Sequence, residues 1–204
     1  MVSGVNSRKG SFEHIEKCCP LASFNGESKF FECTGFFIDN ADKCPTILTS
    51  ASLVRIPDGT DKIFEDLRDC GALPNNQCIE GKLERDSFNY NVALVSVKNY
   101  NVDSPASLKH ETRPEIDYSI SVCRRFESGV LMAVSGNRTW WSGRLRCKDI
   151  CYTTCKITKV GIGGPLVDVN GNFVGMNYYD PKMGTSFLRC DHLCGILNYF
   201  KTKE

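Results

Sequence analysis

The sequence predicts an all-β protein of two small barrels, closed by a short C-terminal helix. Three observations carry this. Short apolar stretches broken by turn residues run along the chain, without the long helical segments that βαβ units require. Asn170-Gly171 stands between the apolar runs Pro165–Val169 and Asn172–Tyr178, a strong hairpin signal. Leu193, Ile196, Leu197 and Phe200 recur at helical spacing, so Asp191–Phe200 reads as a helix.

The remaining elements follow in order. Phe30–Ile38 reads as a strand that runs into the turn Asp39-Asn40-Ala41-Asp42, and Thr46–Thr49 as the next strand. Ser50–Arg55 reads as a single helical turn, and Pro57-Asp58-Gly59 as a loop. Gln77–Glu84 and Val92–Val97 are further strands. Asn99–Glu115, with two prolines and many polar groups, reads as a linker. Tyr118–Cys123, Gly129–Val134 and Ile150–Ile157 are strands of the second half. The 204 residues thus form one unit: a barrel over about 12–100, a linker over about 100–115, a barrel over about 116–189 and a helix over about 190–200. No sequence repeat of fixed period links the halves.

Composition narrows the function. A net charge of +1 gives no field to draw nucleic acid or an acidic membrane. The basic runs Cys123-Arg124-Arg125 and Arg144–Lys148 are short and read as solvated surface. Met1–Gly10 has no apolar core of the secretory kind, and no stretch approaches the length of a membrane span, so a soluble intracellular protein is expected, cytoplasmic or nuclear. Twelve cysteines are then expected as reduced, mostly buried thiols. Cys147, Cys151 and Cys155 recur every four residues, as do Cys190 and Cys194, but no C-x-x-C pair marks a zinc site. No metal or cofactor is expected.

Several motifs then fall in a recognisable order. Cys33-Thr34-Gly35-Phe36-Phe37-Ile38-Asp39 is similar to G-S/T-G-F-I-I-D, and Ile47–Val54 resembles I-L-T-N/A-A-H-V-V. Asn91-Val92-Ala93-Leu94-Val95 resembles D-I-A-L-L. Val160–Val167 resembles G-N-S-G-G-P-L-V, and Asn170–Asn177 its continuation N-G-x-x-I-G-I-N. These are landmarks of trypsin-like serine proteases, closest to the Deg/HtrA protease domain. The chain resembles short forms without a PDZ module and with altered triads, a group expanded in grasses. The resemblance implies a double β-barrel fold.

It also implies a triad position for three residues. Ser52 stands where the family has its histidine, Asn91 where it has its aspartate and Ile162 where it has its serine. A hydroxyl has no useful basicity near neutral pH, an amide carries no charge, and isoleucine has no heteroatom. Val160 stands where the family has the glycine whose N–H helps to bind the oxyanion, and a β-branched residue resists unusual backbone angles. Gly163, Gly164 and Pro165, which shape the turn, are kept. The three histidines, His14, His110 and His192, fall away from these motifs and read as surface or packing residues.

The expected function is a non-catalytic module that binds a protein or peptide, with Gly163, Gly164, Met176, Asn177 and Tyr178 along the groove where a strand can pair. An inert scaffold with Ile162 as a plug is the bland counterpart. An endopeptidase acting through residues outside the family pattern, and a thiol- or metal-binding protein, are the alternatives from other classes.

Overall fold

The computed structural model describes residues 17–38, 45–56, 63, 68–72, 78–98, 100, 102, 105–108, 117–139, 149–180 and 184–202. Among the described residues twelve strands form two closed barrels, and one α-helix follows them. The first holds β1 (Cys18–Asn25), β2 (Ser28–Ile38), β3 (Thr46–Thr49), β4 (Arg68–Ala72), β5 (Cys78–Ser87) and β6 (Val92–Val97), in ring order β1-β2-β3-β6-β5-β4. The second holds β7 (Tyr118–Arg124), β8 (Leu131–Thr139), β9 (Ile150–Thr153), β10 (Pro165–Asp168), β11 (Phe173–Asp180) and β12 (Gly184–Arg189), in ring order β7-β8-β9-β12-β11-β10. The two rings have the same connectivity, although the sequence halves show no repeat. Helix α1 (Cys190–Thr202) closes the chain.

The apolar runs are continuous, rather than alternating, because most central strands are buried on both faces. On β2, Phe37 and Cys33 line the interior of the first barrel, while Phe36 and Ile38 face a second core between the barrels. On β12, Phe187 lines the second barrel and Leu188 faces that same shared core. The Phe36 and Phe173 rings meet across the seam with centroids 5.1 Å apart. Helix α1 packs Leu193, Ile196, Leu197 and Phe200 onto this core, as its helical spacing requires. No helix among the described residues is long and apolar enough to cross a membrane.

Several expectations need correction. The strand expected over Ile150–Ile157 ends at Thr153, where the Thr154 N–H turns to the Asn137 carbonyl (2.9 Å) and the chain leaves the sheet. The strand expected over Gly129–Val134 runs instead from Leu131 to Thr139, since its C-terminal end carries the pairing to β9. Part of the expected linker is core: Ala106 is buried, bridges Ile38, and donates its N–H to the Phe37 carbonyl at 2.8 Å. Among the described residues the first strand of the first barrel begins at Cys18, and residues 12–16 lie outside them; β1, β4 and β12 were not expected as strands. His14, His110 and Cys147 lie outside the described residues.

A polar clasp joins the barrels at one side. Lys29 on β2 sits 2.8 Å from Glu32 and 2.7 Å from Glu127, and Glu32 also accepts the Phe126 N–H at 3.0 Å. Partial burial opposes ionisation of Glu32 and is the largest influence on it. Lys29, the Phe126 amide and Arg125 together outweigh it and hold the carboxyl below its usual value. With the folded pKa below the unfolded one, the clasp stabilises the fold above the unfolded value and loses that contribution as pH falls through the folded one. Glu32→Gln should therefore destabilise by about 1 kcal/mol at neutral pH. The difference from wild type should shrink as pH falls below the folded pKa of Glu32, which urea unfolding at two pH values will check.

Candidate functional site

The loops that carry Ser52, Asn91 and Ile162 meet where the barrels join. After β3 the chain makes a 3₁₀ turn, Ala51–Leu53, capped by the Ser50 hydroxyl, which accepts the Ser52 N–H at 3.1 Å. Asn91 ends the tight connection between β5 and β6, its N–H donating to the Phe88 carbonyl at 3.2 Å. Its φ of +51° is the only positive value among described non-glycine residues, and asparagine tolerates that region. The Ser50 and Ser52 hydroxyls both donate to Asn91 Oδ1, at 3.0 and 3.2 Å. The Asn91 carbonyl accepts the Ala51 N–H at 3.2 Å, so main chain and side chains tie these loops together. The arrangement is a closed hydroxyl–amide cluster in which every group is neutral.

Ile162 follows a second 3₁₀ turn, Lys159–Gly161, and its own backbone is extended (φ −60°, ψ 137°). Its side chain is buried, 8% exposed, and belongs to the core inside the first barrel together with Leu53, Val54 and Cys33. It thus turns inward, into the space beside the Ser52 loop. Thr34 on β2 holds the turn from that side: its N–H donates to the Ile162 carbonyl at 2.9 Å and its hydroxyl to the Val160 carbonyl at 2.7 Å.

The amides from Gly161 to Gly164 are committed within the protein. Ile162 N–H donates to the Lys159 carbonyl (3.1 Å), Gly163 N–H to the Asn177 carbonyl (2.9 Å) and Gly164 N–H to the Gly161 carbonyl (3.2 Å). In the Ser-His-Asp mechanism the nucleophile's own N–H and that of the glycine two residues earlier bind the oxyanion. Ile162 and Val160 are the residues that the motif resemblance assigns to these donors; the Ile162 amide is occupied by a carbonyl of the same chain, and Val160 sits at the centre of a 3₁₀ turn. Sequence reasoning missed the Lys159 carbonyl. The signal was Val160 itself, because without glycine the turn settles into ordinary helical angles.

The groove residues are placed as follows. Gly163 has φ +77°, and a Cβ there would come within 2.4 Å of the Thr34 carbonyl, so the turn accepts no side chain. Gly163, Gly164, Met176 and Asn177 are all buried. Asn177 gives its N–H to the Gly164 carbonyl (2.9 Å) and its side-chain amide to Ser121 Oγ (2.8 Å) and the Pro165 carbonyl (3.1 Å). Tyr178 is half-buried and its hydroxyl donates to the Tyr90 carbonyl, so it spans from β11 to the loop that carries Asn91.

Other chemistry finds little footing. The eight cysteines whose side chains are described are all free of disulfides. Burial pushes the thiols of Cys18, Cys19, Cys123, Cys151 and Cys190 up, which disfavours the thiolate that reacts or binds metal. Among the described residues no three His, Cys, Asp or Glu side chains gather as metal ligands. His192 sits at the start of α1 with Nε2 2.9 Å from Asp149 Oδ1, a surface pair.

Comparison with known proteins agrees with the architecture. The fold matches the crystal structure of the serine endoprotease from Yersinia pestis with a TM-score of 0.74, covering 97% of this chain and 68% of that one. At 16% identity this likeness speaks for the fold alone. No curated protein matches the sequence. The family described as Trypsin-like peptidase domain matches residues 33–176, from the strand that holds Thr34 to the strand that holds Met176. The chain therefore belongs to the trypsin-like peptidase domain family.

Proposed function

We propose that this chain is a catalytically inactive trypsin-like domain that binds an extended segment of another protein. The observation that carries the first half is Ile162: a side chain without a heteroatom, turned into the core at the nucleophile position, with its amide closed onto the Lys159 carbonyl. Ser52 and Asn91 supply no base to activate a hydroxyl, and each satisfies the other instead. Loss of triad members acts as a unit, and what remains in such proteins comes from binding and the oxyanion hole. Here one of the two donors of that hole, the Ile162 amide, is closed onto the Lys159 carbonyl.

The binding half rests on β11. Asn177 turns both main-chain groups toward Gly163 and Gly164, and groups along a strand alternate between edges. Tyr179 is therefore the next residue to offer its N–H and C=O on that side, with Tyr178 paired toward β12. A peptide strand added there needs no triad. Gly163, Gly164 and Met176 serve as the floor beneath it rather than as its contacts, and Asn177 fixes where the free edge begins.

Panning of an extended-peptide library tests this reading. Tyr179→Pro removes the N–H on the open edge and also the ring that packs against the core of the first barrel, so Tyr179→Ala is its control; enriched peptides should bind at least about tenfold more weakly to the proline variant than to the alanine variant. Enrichment of no peptide, or equal binding by the proline and alanine variants, would sink the binding half.

A further inference from the structure

The ring of the second barrel is closed between β8 and β9 by a short stretch of pairing. Strand β8 pairs with β7 along its whole length, from Leu131↔Arg124 to Asn137↔Tyr118. On its other side, among the described residues, its register with β9 covers Arg138 and Thr139 alone. Asn137 directs its main chain to that other side, since its N–H meets Thr154 Oγ1 at 2.8 Å and its carbonyl accepts the Thr154 N–H at 2.9 Å. Arg138 points the opposite way, to the Asp117 carbonyl. Alternation then sends the N–H and C=O groups of Ser135, Ala133 and Leu131 outward, past the end of β9. Among the described residues none of these groups has a hydrogen-bonding partner.

Among the described residues this edge lacks the devices that keep strands apart. Native edges carry charges, prolines, bulges or cover. Between Glu127 and Arg138 the sequence Ser-Gly-Val-Leu-Met-Ala-Val-Ser-Gly-Asn holds no charge and no proline. The β7–β8 register runs without a bulge. Val130 and Leu131 are 52% and 37% exposed, and Ala133 and Ser135 are exposed beside them.

We propose that β8 pairs with β8 of a second copy of this chain, antiparallel about a two-fold axis at Ala133. The partner is a strand because only main-chain groups match a row of main-chain groups. The second copy is chosen because the edge complements itself. Centring on Ala133 sets Ala133 opposite its own copy and Leu131 opposite Ser135, with no charge facing a like charge. A net charge of +1 adds almost no repulsion between copies. The pairing joins the outer walls of two second barrels and does not depend on whether the triad positions act.

Sedimentation velocity of the full chain across micromolar concentrations is the test. Wild type should approach twice the 22.8 kDa protomer mass. Ala133→Lys and Ala133→Glu each set like charges face to face at the axis and should weaken dimerisation at least about tenfold, with unchanged melting temperatures in dilute solution. An equimolar mixture of the two should recover the dimer, since lysine then faces glutamate. A wild-type chain that stays monomeric, a lysine variant as dimeric as wild type, or a mixture that stays monomeric would each overturn the proposal. Wild type held monomeric while it captures an added strand peptide on β8 would overturn it in favour of another occupant.

Discussion

Ile162→Ala should lower stability by about 2–5 kcal/mol, the usual range when a large aliphatic side chain is deleted from a core. Three facts set that expectation. The side chain is 8% exposed, it belongs to the interior core of the first barrel, and it comes from the second barrel. Truncation therefore loses apolar burial and also loosens the contact that seats the turn against the Ser52 loop. Backbone bonds to Thr34 and Asn177 hold the turn in place, so collapse around the void is limited and the upper part of the range is favoured. For a chain of this size the melting temperature should fall by roughly 5–15 °C. An unchanged melt would mean that the side chain does not act as a plug.

Restoring the triad should not restore an ordinary protease. The variant Ser52→His, Asn91→Asp, Ile162→Ser supplies base, carboxylate and nucleophile, but leaves Val160 and the Lys159 carbonyl where they are. Loss of one oxyanion donor typically costs about 10²–10³ in kcat. The triple variant should fall short of an active relative by at least that factor, and Val160→Gly added to it should recover part of the deficit by letting the turn open. The exchange of Ile162 also empties the core, so its stability should fall about as far as that of Ile162→Ala. Turnover equal to that of an ordinary protease in the triple variant alone would show that the closed turn is no barrier.

The sequence made the architecture readable where strands are apolar on both faces. Thr46–Thr49 and Val92–Val97 have the expected bounds, and the Asn170-Gly171 hairpin forms, with Gly171 at φ +83° and the Asp168 carboxylate accepting the Asn170 and Asn172 amides. Strands held by pairing rather than by pattern were not readable. β4 (Arg-Asp-Cys-Gly-Ala) shows no periodicity, and β1 opens Cys-Cys-Pro, yet both are needed to close the first ring. Nor did composition show that Ala106, in a segment with the look of a linker, bridges Ile38. At the site, Ser52 and Asn91, which the ordered motifs singled out, are hydrogen-bonded to each other. The Lys159 carbonyl and the reach of Tyr178 to the Tyr90 carbonyl stayed hidden, because both depend on where the main chain points.

The proposed lack of catalysis at Ile162 is decided by a hydrolysis assay. Purified protein is passed through a sizing column, and each fraction is assayed on casein and peptide esters and treated with a fluorophosphonate probe. Turnover should stay at the level of buffer with no labelling, because both require an activated nucleophile. Hydrolysis that follows the protein across the peak, survives a second purification and coincides with stoichiometric labelling would contradict it.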